Sequence, residues 1–332
     1  MSKSAKAAAK FSDEMLLMTA RLYYVDGLPQ ADVARIMDVS QPQISRLLSL
    51  ARERGIVRIT VADYNPREPE LEKALQRKLG LRNVIVIKTV HGSKAKDLRY
   101  TVAHFAANDI AQMINNVQTM AIAGGRMLQE VCEQLRGPDY RTNLTVVQIM
   151  GNVGSIPTPY DGLELGRMLA AKWRGSFLML NSPALLPDSE TRNAIMNIED
   201  NMQVARRFSK CDLAIIGVGT LHNSVFIERN VFSEKDLKQV VKAGAVGEIC
   251  GRYYNAEGRE CDTPLKDRIV SITIDQLRRT PQVLGVTVGD DRSQAVLAAI
   301  RGDIIKSLVI DDVGAQALID ALPSRSSRVT KL

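Results

Sequence analysis

Residues Gln30 to Leu48 constrain this chain more than any other stretch, because they spell two short helices and a tight turn with the polar side of each helix already assigned. Val33, Ala34 and Met37 recur at helical spacing, and Ala34 is small enough to let a second helix cross close by. Asp38 stands at the turn, where such a motif takes positive φ; Gly is the usual residue there and Asp one of the few others that tolerate it. Ser40 followed by Gln43 predicts a capping box and a helix beginning at Gln41. From there Ile44, Leu47, Leu48 and Ala51 make one apolar stripe, which leaves Gln41, Gln43, Ser45, Arg46 and Ser49 outside. Together with Ser40 at the helix start, these are side chains that can donate to and accept from base edges in a major groove. The pattern implies a helix-turn-helix facing double-stranded DNA.

The flanking residues extend that reading. Met15, Leu16, Thr19, Ala20, Leu22 and Tyr23 supply a preceding helix with a buried face, ended near Asp26 and Gly27. After the second helix of the motif, Gly55 stops the chain and Ile56 to Val61 alternates like a strand, which predicts a small wing. From Ser40 to Thr60 the basic residues Arg46, Arg52, Arg54 and Arg58 face the single acid Glu53, an excess suited to a salt-sensitive phosphate grip. Lys3, Lys6 and Lys10 in the Ala/Ser-rich head are expected to form a loose basic arm.

The 332 residues divide naturally into a winged helix-turn-helix over 1–64, a linker helix over 65–82 and a larger domain over 83–325. The net charge of +7 suits a polyanionic partner. No run of 18 or more apolar residues and no signal-peptide core is present, so the expected location is cytoplasmic, away from the membrane. Cys132, Cys211, Cys250 and Cys261 are scattered without a close pair, and there are only three histidines, so neither a metal site nor a cofactor is expected.

Pro66 and Pro69 mark an extended connection, and Leu71, Ala74, Leu75 and Leu79 form a helical stripe closed by Gly80. That stripe is expected either to pair subunits or to pack on its own domain. Beyond it, apolar runs alternate with helical patterns: Asn83–Ile87, Met120–Ala123, Leu144–Ile149, Phe177–Leu180, Leu213–Ile216, Val283–Val288 and Leu308–Ile310. This predicts an α/β domain with a Rossmann-like parallel sheet. In such sheets ligands sit beyond the carboxyl ends of the strands. Four glycine-bearing loops follow the runs: Gly124-Gly125-Arg126, Gly151-Asn152-Val153-Gly154, Gly217-Val218-Gly219-Thr220 and Gly289 to Ser293. Arg126, Asn152, Thr220 and Arg292 in them can bond hydroxyls or a phosphate.

Taken together, these residues resemble the SorC family of sugar-responsive bacterial transcriptional regulators from about Asp13 to Leu322. The resemblance rests on Arg21 to Tyr24, Gly55 to Ile59, Ala214 to Gly219, Gly244 to Gly251 and Ala295 to Ile300. It implies a carboxyl-terminal domain, related to sugar-phosphate isomerases, that senses a sugar, polyol or sugar phosphate, in a dimer or tetramer acting on an operator. It also implies that Gly124, Gly125, Arg126, Gly151, Asn152, Gly217, Gly219, Glu248 and Arg292 lie in or near the effector. One segment departs from the family pattern of two glycines and a lysine, reading Gly289-Asp290-Asp291-Arg292. Two inward carboxylates there would oppose a dianion, which points to an unphosphorylated effector unless both aspartates cap the following helix.

The rival expectation is an isomerase-like enzyme with an accessory DNA-binding module. Glu248, Asp161 and Asp275 are its acid/base candidates, but no nucleophile-and-base pair accompanies them.

Overall fold

The computed structural model describes residues 11–62, 64–90 and 92–322. Lys3, Lys6 and Lys10 lie outside these residues, as do Asp63 and His91. The chain forms two compact units, Met1–Asn65 and Pro66–Leu332.

In the first unit, α1 (Asp13–Ala20) is capped by Ser12, whose hydroxyl accepts from the Met15 amide, and it widens into a π-helical turn over Arg21–Val25. Two short helices follow, α2 (Gln30–Ile36) and α3 (Gln41–Glu53). Leu16, Val33, Ile44, Leu47 and Ala51 meet in a core with no exposed surface, so the two expected stripes do face one another. The turn between α2 and α3 is a complete Schellman motif: the Val39 amide donates to the Ala34 carbonyl at 3.0 Å and the Asp38 amide to that of Arg35 at 3.4 Å. Asp38 takes the left-handed position with φ 55°, as the motif requires.

Two expectations here are corrected. Ser40 does stand at the N-cap of α3, but its side chain makes no capping bond. The Gln43 amide instead donates to the Ser40 carbonyl at 2.9 Å, so the hydroxyl has lost its donor, and Pro42 has no amide to offer. The wing is also absent as a strand: Ile56 to Val61 is irregular, with Ile59 and Val61 59% and 80% exposed. An isolated strand satisfies none of its own backbone groups, and among the described residues no neighbour pairs with this one.

The second unit begins with an extended connection that joins its sheet. Lys88 and Glu68 amides bond to the Pro66 and Val86 carbonyls at 2.8 and 2.9 Å, laying residues 66–68 along the edge of β1 (Asn83–Ile87). Between them α4 (Pro69–Leu79) ends at Gly80 in the left-handed conformation and packs on β1 and on the last helix, so its stripe is covered by its own domain. The remaining elements run α5 (Ala95–Asn115), β2 (Thr119–Ile122), α6 (Arg126–Gln134), β3 (Thr145–Gln148), α7 (Gly162–Lys172), β4 (Ser176–Leu178), α8 (Ser189–Met196), α9 (Glu199–Phe208) and β5 (Leu213–Gly217). They continue as α10 (Val225–Glu228), α11 (Glu234–Lys242), β6 (Ala245–Ile249), β7 (Arg252–Asn255), α12 (Ile274–Arg279), β8 (Gln282–Val286), α13 (Ser293–Arg301), β9 (Ser307–Asp311) and α14 (Asp312–Asp320).

Seven strands form one parallel sheet in the order β1-β9-β8-β5-β2-β3-β4. Consecutive residues of β2, β3, β5 and β9 are buried, which requires helices over both faces. All seven apolar runs of the sequence are these strands. From β2 the chain first builds outward through β3 and β4, then returns to place β5 on the other side of β2. The β2/β5 boundary is therefore the topological switch point, where loops diverge and leave a crevice. The remaining pair, β6 and β7, is an antiparallel hairpin, tied to the loop after β5 by reciprocal bonds between Gly219 and Glu248 at 2.9 and 3.0 Å.

Candidate functional site

Two surfaces answer to the sequence reading. On α3 the apolar stripe is buried while Gln41, Ser45 and Arg46 are exposed, and Gln43 and Ser49 are half-buried. The exposed face thus carries an amide, a hydroxyl and a guanidinium within two turns of helix, with Ser40 also exposed at its start. Ser49 is partly engaged: its hydroxyl donates to the Ser45 carbonyl at 3.0 Å and accepts from Arg52 at 3.3 Å. Arg54, counted with the phosphate-gripping residues, instead pairs with Asp13 at 2.6 Å and donates to the Phe11 carbonyl, bracing α1 against the end of α3.

The second surface is a cavity of about 350 Å³ at the carboxyl edge of the sheet, around the β2/β5 switch point. Gly124, Gly125 and Arg126 after β2, Gly217 and Gly219 after β5, Glu248 on the hairpin and Arg292 after β8 all line it. A Cβ on Gly219 would stand 2.5 Å from the Glu248 carboxylate, so a larger residue there would drive the hairpin off the loop. Gly151 and Asn152 do not line the cavity. Gly151 donates to the Val270 carbonyl, and a Cβ on it would lie 2.6 Å from the Pro183 carbonyl; Asn152 bridges to Pro183 and accepts from Gln148. Both hold the exit of β3 against the segment after β4. Glycine there reflects close backbone packing, which the sequence alone does not distinguish from ligand approach.

Side chains strap the mouth of the cavity. Arg126 donates to Asn223 at 3.0 Å and pairs with Glu228 at 3.3 Å; Asn223 donates to Asp291 at 3.1 Å; Asp291 pairs with Arg292 at 2.8 Å. The loops after β2, β5 and β8 are thereby joined. Asp291 faces Arg292 and Asn223 while Asp290 is exposed, so neither aspartate stands as an uncompensated charge over the cavity. Arg292 is mostly buried, and burial holds its guanidinium below the usual arginine range.

Glu248 is the buried acid of the site. Burial pushes its carboxyl up to about 7, against the opposing effects of the Gly251 amide and the Ser224 hydroxyl, which bond it. Of the other two acids weighed for catalysis, Asp161 pairs with Arg229 at 2.8 Å and caps the Thr158 amide, and Asp275 is an exposed partner of Arg278. Neither lines the cavity. Cys250 does, but burial raises its thiol far above neutrality, so no thiolate nucleophile is available there. No cluster of metal-binding side chains occurs among the described residues.

Sequence reasoning missed Arg99 and Thr287. Arg99 lies on α5, the helix after β1, and Thr287 just past β8; both line the cavity. Arg99 lies inside a helix, which carries none of the glycine signal of the strand-end loops, and Thr287 reads in the sequence as part of the apolar run Val283–Val288.

Comparison with known proteins places this architecture. Residues 66–320 match the family described as "Putative sugar-binding domain". The chain is 29% identical to an uncharacterized transcriptional regulator of Escherichia coli K12, YjhU, over 96% of this chain and 98% of that one. It is 26% identical to the sorbitol operon regulator of Klebsiella pneumoniae over 93% and 99% of the two chains. The crystal structure of full-length SorC from K. pneumoniae superposes with a TM-score of 0.75 at 25% identity, covering 93% of this chain and 99% of that one.

Proposed function

This chain belongs to the sugar-binding-domain family of SorC-type transcriptional regulators, and on that premise we propose that α3 reads an operator while the switch-point cavity takes the sugar, polyol or sugar phosphate that controls it. Ser40, Gln41, Gln43, Ser45, Arg46 and Ser49 are the groove-facing set. The observation that carries the reading is the convergence of Gly124, Gly125, Arg126, Gly217, Gly219, Glu248 and Arg292, from four separate segments, on one cavity at the β2/β5 boundary. Glycine backbone, two guanidiniums and a buried carboxyl suit a small polyhydroxylated ligand.

In this reading the protein is a cytoplasmic homo-oligomer, and ligand acts by exchange. A ligand that bonds Arg126 and Arg292 competes with Asn223 and Asp291, reorganises the strapped loops, and favours one arrangement of paired effector domains. That arrangement sets the distance between two α3 helices on adjacent half-sites. A binding role also fits the site better than turnover, since Asp291, the other acid lining the cavity with Glu248, is tied up by Arg292 and Asn223.

The test is anisotropy of the full chain on DNA from upstream of its own gene, titrated with a panel of sugars, polyols and their phosphates. At least one should change DNA affinity and be recovered unconverted. Arg126→Ala should leave DNA affinity alone and blunt that response. A panel without effect on DNA binding, or a ligand that is consumed, overturns the reading.

A further inference from the structure

The helix α1 is apolar on more than the side it buries. Leu16, Thr19 and Ala20 are buried, and α1 packs on α3. Yet Leu17 and Met18 are 53% and 50% exposed, and Val25, at the end of the π-helical turn, is 72% exposed. A surface helix ordinarily turns polar residues outward, and one that is apolar all round belongs in an interior. Glu14, Leu17, Met18, Arg21 and Val25 stand at i, i+3, i+4, i+7 and i+11, which makes one stripe on the side of α1 away from α3.

The charges of that stripe are symmetric about its centre. Glu14 precedes Leu17 by three residues and Arg21 follows Met18 by three. Both are exposed, and neither forms an ion pair among the described residues; the adjacent Asp13 is the acid that holds Arg54. When a second α1 lies antiparallel about a two-fold axis between Leu17 and Met18, Glu14 of each helix meets Arg21 of the other, and Leu17 meets Met18. An isologous contact needs a surface that complements itself, and this stripe does. A parallel pair would set Glu14 against Glu14 and Arg21 against Arg21, which like-charge repulsion disfavours.

We propose that the outer face of α1 is a docking surface for a second copy of this chain, joining two amino-terminal units through an antiparallel pair of α1 helices. Because α3 packs on the opposite side of α1, the pairing leaves both α3 helices free to reach DNA. The contact is separate from the switch-point cavity and stands whether or not that cavity takes an effector. Only its consequence for DNA rests on α3 reading an operator. One helix pair is smaller than a standard interface, so the contact is strongest where other parts of the chain already hold two copies together.

Disulfide formation in the full chain tests the contact itself. Antiparallel helices packed on this stripe bring the two Met18 Cα atoms within roughly 6 Å, inside disulfide range. Wild type is the blank, since its four cysteines are buried, and Glu53→Cys, at the exposed end of α3, reports chance collision. On oxidation Met18→Cys should give a covalent dimer ~10-fold faster than Glu53→Cys. Adding Glu14→Arg or Arg21→Glu should each slow that cross-linking by ~5-fold or more, and adding both should restore it. Glu14 and Arg21 lie about two turns apart in one helix, so only a contact between copies turns the double swap back into opposite charges. Circular dichroism should stay native throughout, because every substituted side chain is exposed. Equal cross-linking by Met18→Cys and Glu53→Cys overturns the surface, as does cross-linking that ignores the charges or a double swap no better than the single reversals. If the charge variants then still bind operator DNA as wild type does, the α3 reading survives and the α1 pair does not.

Discussion

Single side chains decide both surfaces. On α3, Arg46 is exposed and makes no ion pair among the described residues, so its guanidinium is available to guanine. Arg46→Ala should cost roughly 1–3 kcal/mol in operator binding and relax the preference at one base pair, read by competition on base-substituted operators. Glu248 makes the opposite use of burial. Its carboxyl, near 4.5 in the unfolded chain, is pushed up to about 7 in the fold, so the folded state favours the neutral form. Stability from this group is therefore complete below about pH 4.5 and is lost as pH rises toward 7, by an amount on the order of 3 kcal/mol. Glu248→Gln cannot ionise, and its melting temperature should fall less than that of wild type between pH 5 and 7.5. Parallel melting curves across that range would remove the carboxyl as the cause.

Elements show where local pattern was sufficient and where it failed. The helix α3 was legible in start, length and phase because one apolar stripe against α1 and α2 leaves a single way to lie. Leu47, with no exposed surface, is central to that contact, and Leu47→Ala should cost about 2–5 kcal/mol. In so small a unit this should abolish specific DNA binding, while thermal unfolding of the larger unit stays unchanged; a variant with wild-type operator affinity would contradict it. The Ile56 to Val61 alternation, by contrast, is a strand pattern without a strand, since pairing needs a partner that periodicity cannot supply. Gly151 failed differently. The same residue type leaves open space at Gly217, on the cavity, and admits the Pro183 carbonyl at Gly151, and only the neighbour distinguishes them.

At the scale of the whole molecule, residues from 66 onward have their own sheet, their own core and a connection bonded along β1. A fragment of residues 66–332 should fold cooperatively and keep the ligand response of the full chain in thermal shift, while losing operator binding. A fragment that is unfolded by circular dichroism would refute that independence. The helix-turn-helix, the seven strands and the glycine loops are legible in the chain because each is written in spacing along a few consecutive residues. Tertiary structure alone decided which loops share a cavity, that Gly151 and Asn152 lie elsewhere, that α4 covers its stripe within its own domain, and that Arg99 meets Arg126 and Arg292. The order of strands in the sheet settles these points. It brings together segments nearly two hundred residues apart, and no local periodicity encodes which strand lies beside which.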